Sequence, residues 1–597
     1  MKSGEGSPIW SAPFRRRDTI PGGSPTSRHG GFVPDARSED GYIMAASDPV
    51  RRRWGVQFHP ESIGTDGGRD LATAFLGECA KGEGEACPPA CHRPGATVPS
   101  EGERKRGGHA QRDDRPAAAL METVPITGSV ADIFQALTAP GPPQGILLEA
   151  ARPYEGRQVS ILAFPDAPGN KWITGGGGAD PWPEALRRHL DREVRHEGAL
   201  PTEFLGGVIG VIGYEARRAL GLPVTFAPAP LEALFLAVSS FLVVDDQAGE
   251  VFVVSIGDED DAPQRREWGG RMKARLLAQL RQRPTDPSHG EGGARPLIIT
   301  PREDARTYRE KVKWCQEKIR HGDSYELCLT TSFIAEMSAP PWEVYRALRS
   351  VNPAPFAAYI GHPEIALTSA SPERFLKLSV DGAIEAKPIK GTRPRGATVA
   401  ADAQLKSALG ASVKDRAENL MIVDLLRHDI GGVAVPGTVT VPVFAGIESY
   451  QTVHQLVSTI VGQRQDGLDA LDVISACFPG GSMTGAPKIR SMTLLEQIEG
   501  EPRGLYSGAL GWISHTGAAE MSIVIRAICQ RGRYARIGAG GAITTLSDPM
   551  AEYREMKLKA AASFAGLALA ESGDPTAYRL AEEGGLVPMG NAVPENI

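Results

Sequence analysis

Between Val124 and Ala565 the chain carries short runs of Val, Ile, Leu and Phe broken by Gly, Pro and Asp, interleaved with longer amphipathic stretches. This alternation restricts the fold more than any other feature. Runs at 145–149, 160–164, 206–214, 233–245 and 250–256 read as strands. Leu276, Leu277 and Leu280 mark one face of a helix at 271–281. A stretch rich in Pro, Asp, Ser and Gly at 283–295 separates a second set. That set has strands at 324–332, 356–360, 365–369, 374–378, 383–387, 507–514, 521–530 and 534–539. Its helices fall at 308–320, 342–351, 413–428, 453–461, 469–477, 489–498 and 549–564. Meanders of strands followed by long helices predict α+β layers, not a regular βαβ repeat.

The flanks are different. Residues 1–35 and 81–120 are rich in Gly, Pro, Ser, Arg and Glu and read as a disordered leader and a linker, and 566–597 as a polar tail. Residues 36–80 contain a small folded-looking piece, two strands and a helix near 68–79. At 597 residues the chain exceeds one core, and 121–290 and 297–565 are expected to be the two parts of its main body. The net charge of −7 gives no field to draw in nucleic acid. No apolar run reaches the roughly 18 residues that span a membrane, and the N-terminus has no signal core. Seven cysteines, an odd number, suggest a reducing cytoplasm over a disulfide framework. Cys87, Cys91 and His92 lack a matching second half for a metal site.

Four features converge on one chemistry. The first is Lys387-Pro388-Ile389-Lys390-Gly391-Thr392-Arg393-Pro394-Arg395, where two prolines fix φ around Gly391 and hold Lys390 on a stiff loop. Such a lysine pairs with an anion or acts as a base or nucleophile. Secondly, Asp415 with Glu418, and Glu552 with Glu555, stand at i, i+3 on two helices, with Lys559 one turn beyond. Two carboxylate pairs near glycine-rich turns (480–485 and 538–541) suit Mg²⁺ together with an anionic substrate. Thirdly, Arg526 is a cation inside an apolar strand and asks for a buried anion. Fourthly, His454 begins an otherwise apolar helix.

The same residues carry a family resemblance. Ser371-Pro372-Glu373-Arg374-Phe375, Pro388–Thr392, Glu418–Leu425, Gly481–Lys488 and Ile525-Arg526 resemble the chorismate-utilising enzymes, in the family's order and over about 124–565. The resemblance implies antiparallel sheets in a β-sandwich with surrounding helices, like anthranilate synthase component I. It implies Mg²⁺ held by Glu418 and Glu555, with Asp415 and Glu552 behind them. It further implies chorismate contacts from Gly391, Thr392, Tyr506, Arg526, Gly540, Gly541, Ala542 and Lys559, with His454 near the leaving group. Three positions depart: Gly540-Gly541-Ala542 stands for Gly-Ala-Gly, Trp512 for Tyr and His428 for Asn. Anthranilate synthases read Pro-Ile-Ala-Gly-Thr, whereas aminodeoxychorismate synthases read Pro-Ile-Lys-Gly-Thr, as here. The resemblance therefore implies amination of chorismate at C4, with Lys390 attacking C2, Glu373 protonating the departing hydroxyl and ammonia then displacing the lysine. Desolvation, or the nearby Arg393 and Arg395, is expected to lower the pKa of Lys390. Amination at C2 is the alternative, and a non-catalytic scaffold for chorismate or a glutaminase is the reading from another class. Residues 146–150 match the tryptophan-binding region of anthranilate synthases, with Ala150 where they carry Ser, which argues against that feedback.

Trp54–Ile63 (WGVQFHPESI) resembles the last catalytic segment of class I glutamine amidotransferases, with His59 and Glu61 in the triad pattern. No cysteine precedes Cys79, and none of the seven lies in a Gly-x-Cys-x-Gly setting. The expectation is a partial amidotransferase fragment without glutaminase activity, fused ahead of the synthase, its beginning missing, and a separate glutaminase supplying ammonia.

Overall fold

A computed structural model describes residues 33–37, 43–48, 53–56, 117–126, 128–139, 141–175, 181–196, 198–229, 231–279, 296–450 and 453–581. The chain divides into two compact units, Met1–Ala96 and Thr97–Ile597. In the first, strands Val33–Arg37, Ile43–Asp48 and Arg53–Val56 form a small antiparallel sheet. The expected helix near 68–79, and His59 and Glu61, lie outside the described residues.

The second unit is mixed α+β, built on two unequal sheets. The larger has fourteen strands and the smaller ten, and each draws strands from both sides of residue 290. Third and fourth from one end of the larger sheet, strands Glu326–Glu336 and Tyr534–Ile543 pair along their length, from Leu327 opposite Ile543 to Glu336 opposite Tyr534. Successive side chains point to opposite faces. Leu327, Leu329, Phe333 and Ala335 therefore join Tyr308, Val312, Met556, Phe564 and Leu567 in one apolar cluster with helices Ala305–Arg320 and Pro549–Ser572. Glu326, Cys328 and Thr330 face the other way.

A second cluster joins the sheets: Ile209, Val211, Leu234 and Leu236 from the smaller meet Ile146, Ile161, Phe241 and Val243 from the larger. A third packs helices Val413–Gly431 and Ala470–Cys477 on the smaller sheet through Ile422, Leu426, Ile430, Ile474 and Ile460. The expected sandwich is thus narrowed. The sheets share only part of their faces, helices cover the rest, and two strand pairs are parallel. Among the described residues no helix is long and apolar enough to cross a membrane.

Three local expectations are corrected. Residues 453–461 form a strand, Val453–Gln463, not a helix; a strand buried on both faces reads as a continuous apolar run, which periodicity does not separate from a helix. The stretch 521–530 is not one strand. Ala519–Ile523 belongs to the smaller sheet and Ala527–Arg531 to the larger, so 524–526 is a crossing between sheets, with Arg526 at φ +48°. Gly538 to Gly541 lie within strand Tyr534–Ile543 and form no turn. Gly538 is required by close approach, since a Cβ there would sit 2.2 Å from the Tyr506 ring.

Beneath Tyr506, Arg503 is buried and donates to both Glu499 oxygens at 2.7 and 2.9 Å, to Met483 O and to Cys328 O. Glu499 in turn accepts from Thr330 N–H and Oγ1. Removing one partner of such a pair strands a buried charge, which costs about 3–5 kcal/mol. Arg503→Met is therefore expected to lose about that much stability in urea unfolding, while Arg306→Ala, whose ion pair is on the surface, should fall within about 0.5 kcal/mol of the parent.

Candidate active site

The lysine segment is a strand, Ile389–Pro394, not a loop. It pairs with Val453–Gln463 through a bulge: Ile389 faces Val457, and the next partners are Thr392 and Gln455. Gly391, at φ +79°, makes the bulge possible. Any Cβ there would meet the Asp415 side chain at 2.8 Å. The bulge aims Lys390 inward, and its Nζ lies 3.3 Å from Glu326 Oε1. Burial by itself lowers the proton affinity of this amine. The carboxylates of Glu326, Glu418 and Glu373 outweigh it and hold Lys390 above the ordinary lysine range. The expected lowering by Arg393 and Arg395 is overturned, because both arginines are committed elsewhere: Arg393 bonds Asp415 at 3.0 Å and Arg395 grips Asp402 with two bonds of 2.8 Å.

Helix Val413–Gly431 is capped by the Ser412 side chain. Its first turns bring Lys414 between two carboxylates, 3.8 Å from Glu418 and 3.1 Å from Glu552. Glu552 also accepts from Ser547 Oγ at 2.7 Å. Glu555 pairs with Lys559 at 2.9 Å, and Lys559 reaches Gly540 O at 3.2 Å. Glu418 Oε1 is buried with no hydrogen-bond partner. Burial first, then the charges of Glu326 and Glu552, push the Glu418 carboxyl up to about 7, against the pull of Lys390 and Lys414. Glu555 goes the other way: burial raises it, but Lys559, Lys414 and Lys390 more than offset this. Of the four expected metal carboxylates, Glu418 and Glu552 flank the Lys414 ammonium, Glu555 is paired with Lys559, and Asp415 is tied to Arg393. Among the described residues no three His, Cys, Asp or Glu side chains form a ready-made cage.

Glu373 lies between strands Ile365–Ser371 and Arg374–Leu378. Its backbone is held by Ser371 Oγ and by Ile523 N–H. Burial pushes its carboxyl up, while Lys390, the Ser482 hydroxyl, Lys559 and Arg526 pull it down by less. Arg526 is lowered by burial and then by Arg152, with Glu373 opposing. Arg152 is likewise lowered by burial; its Nε is buried without a partner and its guanidinium stands 5.1 Å from the Tyr450 ring centre. Among the described residues neither arginine has an acidic side chain within ion-pair distance. Two partly buried guanidinium groups, of which Arg152 depresses the proton affinity of Arg526 and neither has an acidic partner, can together take an anionic ligand.

His454 sits on strand Val453–Gln463, 1% exposed. Its Nδ1 meets Ser449 Oγ at 2.8 Å and its Nε2 meets Asp402 at 3.0 Å. Arg395, Asp402 and His454 form one chain of contacts. Gly540 and Ala542 pair with Thr330 and Cys328, and Gly541 runs close under Glu552 and Lys559.

Sequence reasoning missed Glu326, Lys414, Arg152 and Asp402. Glu326 left one trace, a single charge at the head of the apolar run Glu326-Leu327-Cys328-Leu329. The other three left none, because their roles depend on helices and loops meeting across the fold. A cavity of about 380 Å³ opens beside Ala150, lined by Glu149, Tyr154, Phe356, Arg374 and Trp512; Arg374 within it is balanced by Glu155, Glu385 and Glu520.

Fold and side chains together define an α+β enzyme that sets carboxylates around one lysine and leaves Arg152 and Arg526 without an acidic partner among the described residues. Residues 151–565 match the family of chorismate binding enzymes, and the chain belongs to it. The chain is 37% identical over 565 residues to an aminodeoxychorismate synthase of Streptomyces pristinaespiralis, covering 90% of this chain and 77% of that one. It is 39% identical over 371 residues to aminodeoxychorismate synthase component 1 of Klebsiella aerogenes, covering 62% and 78%. In fold it resembles anthranilate synthase component I of Streptococcus pneumoniae, with a TM-score of 0.55 at 24% identity, over 77% of this chain and 94% of that one.

The raised Glu418 carboxyl has a consequence for stability. Between the ordinary carboxylate range and pH 7 the folded protein holds a proton that the unfolded chain releases, so this group costs stability as pH rises through that window. In metal-free protein, Glu418→Gln is expected to raise the unfolding free energy measured in urea at pH 8 by on the order of 1–3 kcal/mol, and to change it little at pH 5.

Proposed function

We propose that this chain converts chorismate and ammonia to 4-amino-4-deoxychorismate. One observation carries the reading: the cleft of a chorismate binding enzyme holds a buried lysine amine, Lys390, beside a buried carboxyl, Glu373, whose proton affinity is raised. Arg526, with Arg152, binds a substrate carboxylate. Gly391, Thr392, Tyr506, Gly540, Gly541 and Ala542 line the ring's site, and their small or flat surfaces let the ligand approach the backbone. Glu373 delivers its proton to the departing C4 hydroxyl. The Lys390 amine bonds to C2 as the ring double bonds shift and the C4–O bond breaks; ammonia then bonds at C4 and releases the lysine. His454, oriented by Asp402 and Ser449, flanks the leaving group. Amination at C2 would put ammonia where the lysine stands.

The donor set fits Mg²⁺. Glu418 offers a buried oxygen without a hydrogen bond, and with Glu552 it holds a cation, Lys414, whose charge Glu555 also feels. Hard carboxylate oxygens are what Mg²⁺ takes. When bound, Mg²⁺ would draw negative charge at the ring carboxylate. Glu418 and Glu555 would hold it, backed by Glu552, while Asp415 anchors Arg393.

Ammonia is supplied by a separate glutaminase, and residues 36–80 are a partial amidotransferase. The length of the match to the Streptomyces relative, 90% of this chain against 62% for the component 1 relative, supports a fused arrangement. The reaction belongs to the cytoplasm and leads to 4-aminobenzoate and folate.

Purified protein with chorismate, ammonium and Mg²⁺ should form 4-amino-4-deoxychorismate, assayed by chromatography. Lys390→Ala should lower that rate by at least about 100-fold, and glutamine in place of ammonium should yield no product unless a glutaminase is added. Product formation by Lys390→Ala at the parent rate would reject the covalent lysine. Because Lys414 competes for the same carboxylates, Lys414→Ala should bind Mg²⁺ more tightly by calorimetric titration; unchanged or weaker binding would remove Glu418 and Glu552 from the metal's site.

A further inference from the structure

One proton in this scheme has no destination yet. Lys390 is charged in its pocket, and an ammonium is not a nucleophile. Glu373 is already the acid that serves the hydroxyl. Glu552 and Glu555 are engaged by Lys414 and Lys559, and Glu418 with them forms the set offered to a cation. Glu326 is left. Its Oε1 lies 3.3 Å from Lys390 Nζ, while its Oε2 is buried with no hydrogen-bond partner.

Two other buried carboxylates of this fold are bonded through both oxygens, Glu499 by Thr330 and Arg503 and Glu149 by Tyr345 and Arg349, whereas Glu303, on Lys311, also leaves its Oε2 without a hydrogen bond. Glu326 has one oxygen on the lysine and the other free to carry a proton. Its backbone is pinned on every side. Tyr325 N–H donates to Ala486 O at 2.7 Å, Glu326 O accepts from Ser324 Oγ at 2.8 Å, and Leu327 pairs with both Gly485 and Ile543. The carboxylate is therefore held at a fixed distance from the amine.

We infer that Glu326 is the proton acceptor that frees the Lys390 amine for attack, an assignment that rests on the covalent reading of Lys390. The balance closes. The Lys390 ammonium gives a proton to the Glu326 carboxylate. The neutral amine forms the N–C2 bond, the two ring double bonds each shift one position, and the C4–O bond breaks. Glu373 gives its proton to that oxygen, which leaves as water. The lysine nitrogen is then a secondary ammonium, Glu326 is neutral and Glu373 is ionised, so the net charge is unchanged. When ammonia bonds at C4 the electrons return and the N–C2 bond breaks; Glu326 hands its proton back to Lys390, and the ammonium formed at C4 gives one proton to Glu373, which restores both carboxyls. The two carboxyls thus work in opposite directions on either side of one amine.

The test uses the full chain with Mg²⁺ and chorismate and no ammonia. The reaction is quenched at timed intervals, and the peptide carrying Lys390 is weighed by mass spectrometry. The parent should show a covalent ring adduct on Lys390. Glu326→Gln keeps the shape and can accept a hydrogen bond but takes no proton, so its adduct should form on the order of 100-fold more slowly, with the KM for chorismate in the complete reaction changed less than about threefold. Glu326→Asp, which keeps the acid, should recover at least about tenfold of that loss. An adduct rate in Glu326→Gln within about threefold of the parent would overturn the assignment, and so would a Glu326→Asp protein as slow as Glu326→Gln. A parent that forms no adduct would reject the covalent lysine and this assignment with it, which separates the two failures.

Discussion

The Arg503–Glu499 pair is the fixed point on which the site rests. One guanidinium and one carboxylate, both buried, tie together strand Glu326–Glu336 through Cys328 and Thr330, the glycine-rich segment through Met483, and the base under Tyr506. Glu215, from the first half of the chain, accepts from the Arg503 and Gly504 N–H groups. Arg217 beside it, fully buried, bonds Glu496, and Glu496 in turn takes Thr225. The halves on either side of residue 290 are therefore joined by buried charge as well as by apolar contact. Such networks favour one arrangement because every alternative leaves a desolvated charge unpaired.

On that frame the site keeps its charges unbalanced on purpose. Lys390 is overfed with carboxylates, whereas Arg152 and Arg526 have none. On the proposed reading, a dianionic ligand and a divalent cation would correct both excesses at once, the anion at the guanidinium groups and the cation at the carboxylates. The same imbalance sorts the carboxyls by task. Burial raises the proton affinity of Glu373, the surrounding ammonium groups lower that of Glu555, and burial pushes Glu418 up to about 7.

Much of this was legible in local chemistry. The carboxylate pairs at i, i+3 do fall on two helices, Arg526 has no acidic side chain within ion-pair distance among the described residues, and the proline-bounded Lys390 stands among carboxylates. What was misread has a common cause. Val453–Gln463 and the helical stretches share an unbroken apolar character, so period alone did not separate them. Residues 521–530 looked like one strand because nothing local announces that a chain leaves one sheet for another; only a positive φ at Arg526 does. The lysine's protonation was misjudged because its sequence neighbours are arginines, whereas its spatial neighbours are glutamates from three other segments.

By itself the sequence determined which residues are available for chemistry and the class of fold, because helix and strand spacing and glycine placement are local properties. The tertiary structure alone decided which of those residues meet. Glu326 and Lys390 are 64 positions apart, and no periodicity links them; a strand from one sheet and a bulge in the other bring the two side chains to 3.3 Å. Proton affinity follows distance and desolvation, and both are set only when the sheets close on each other.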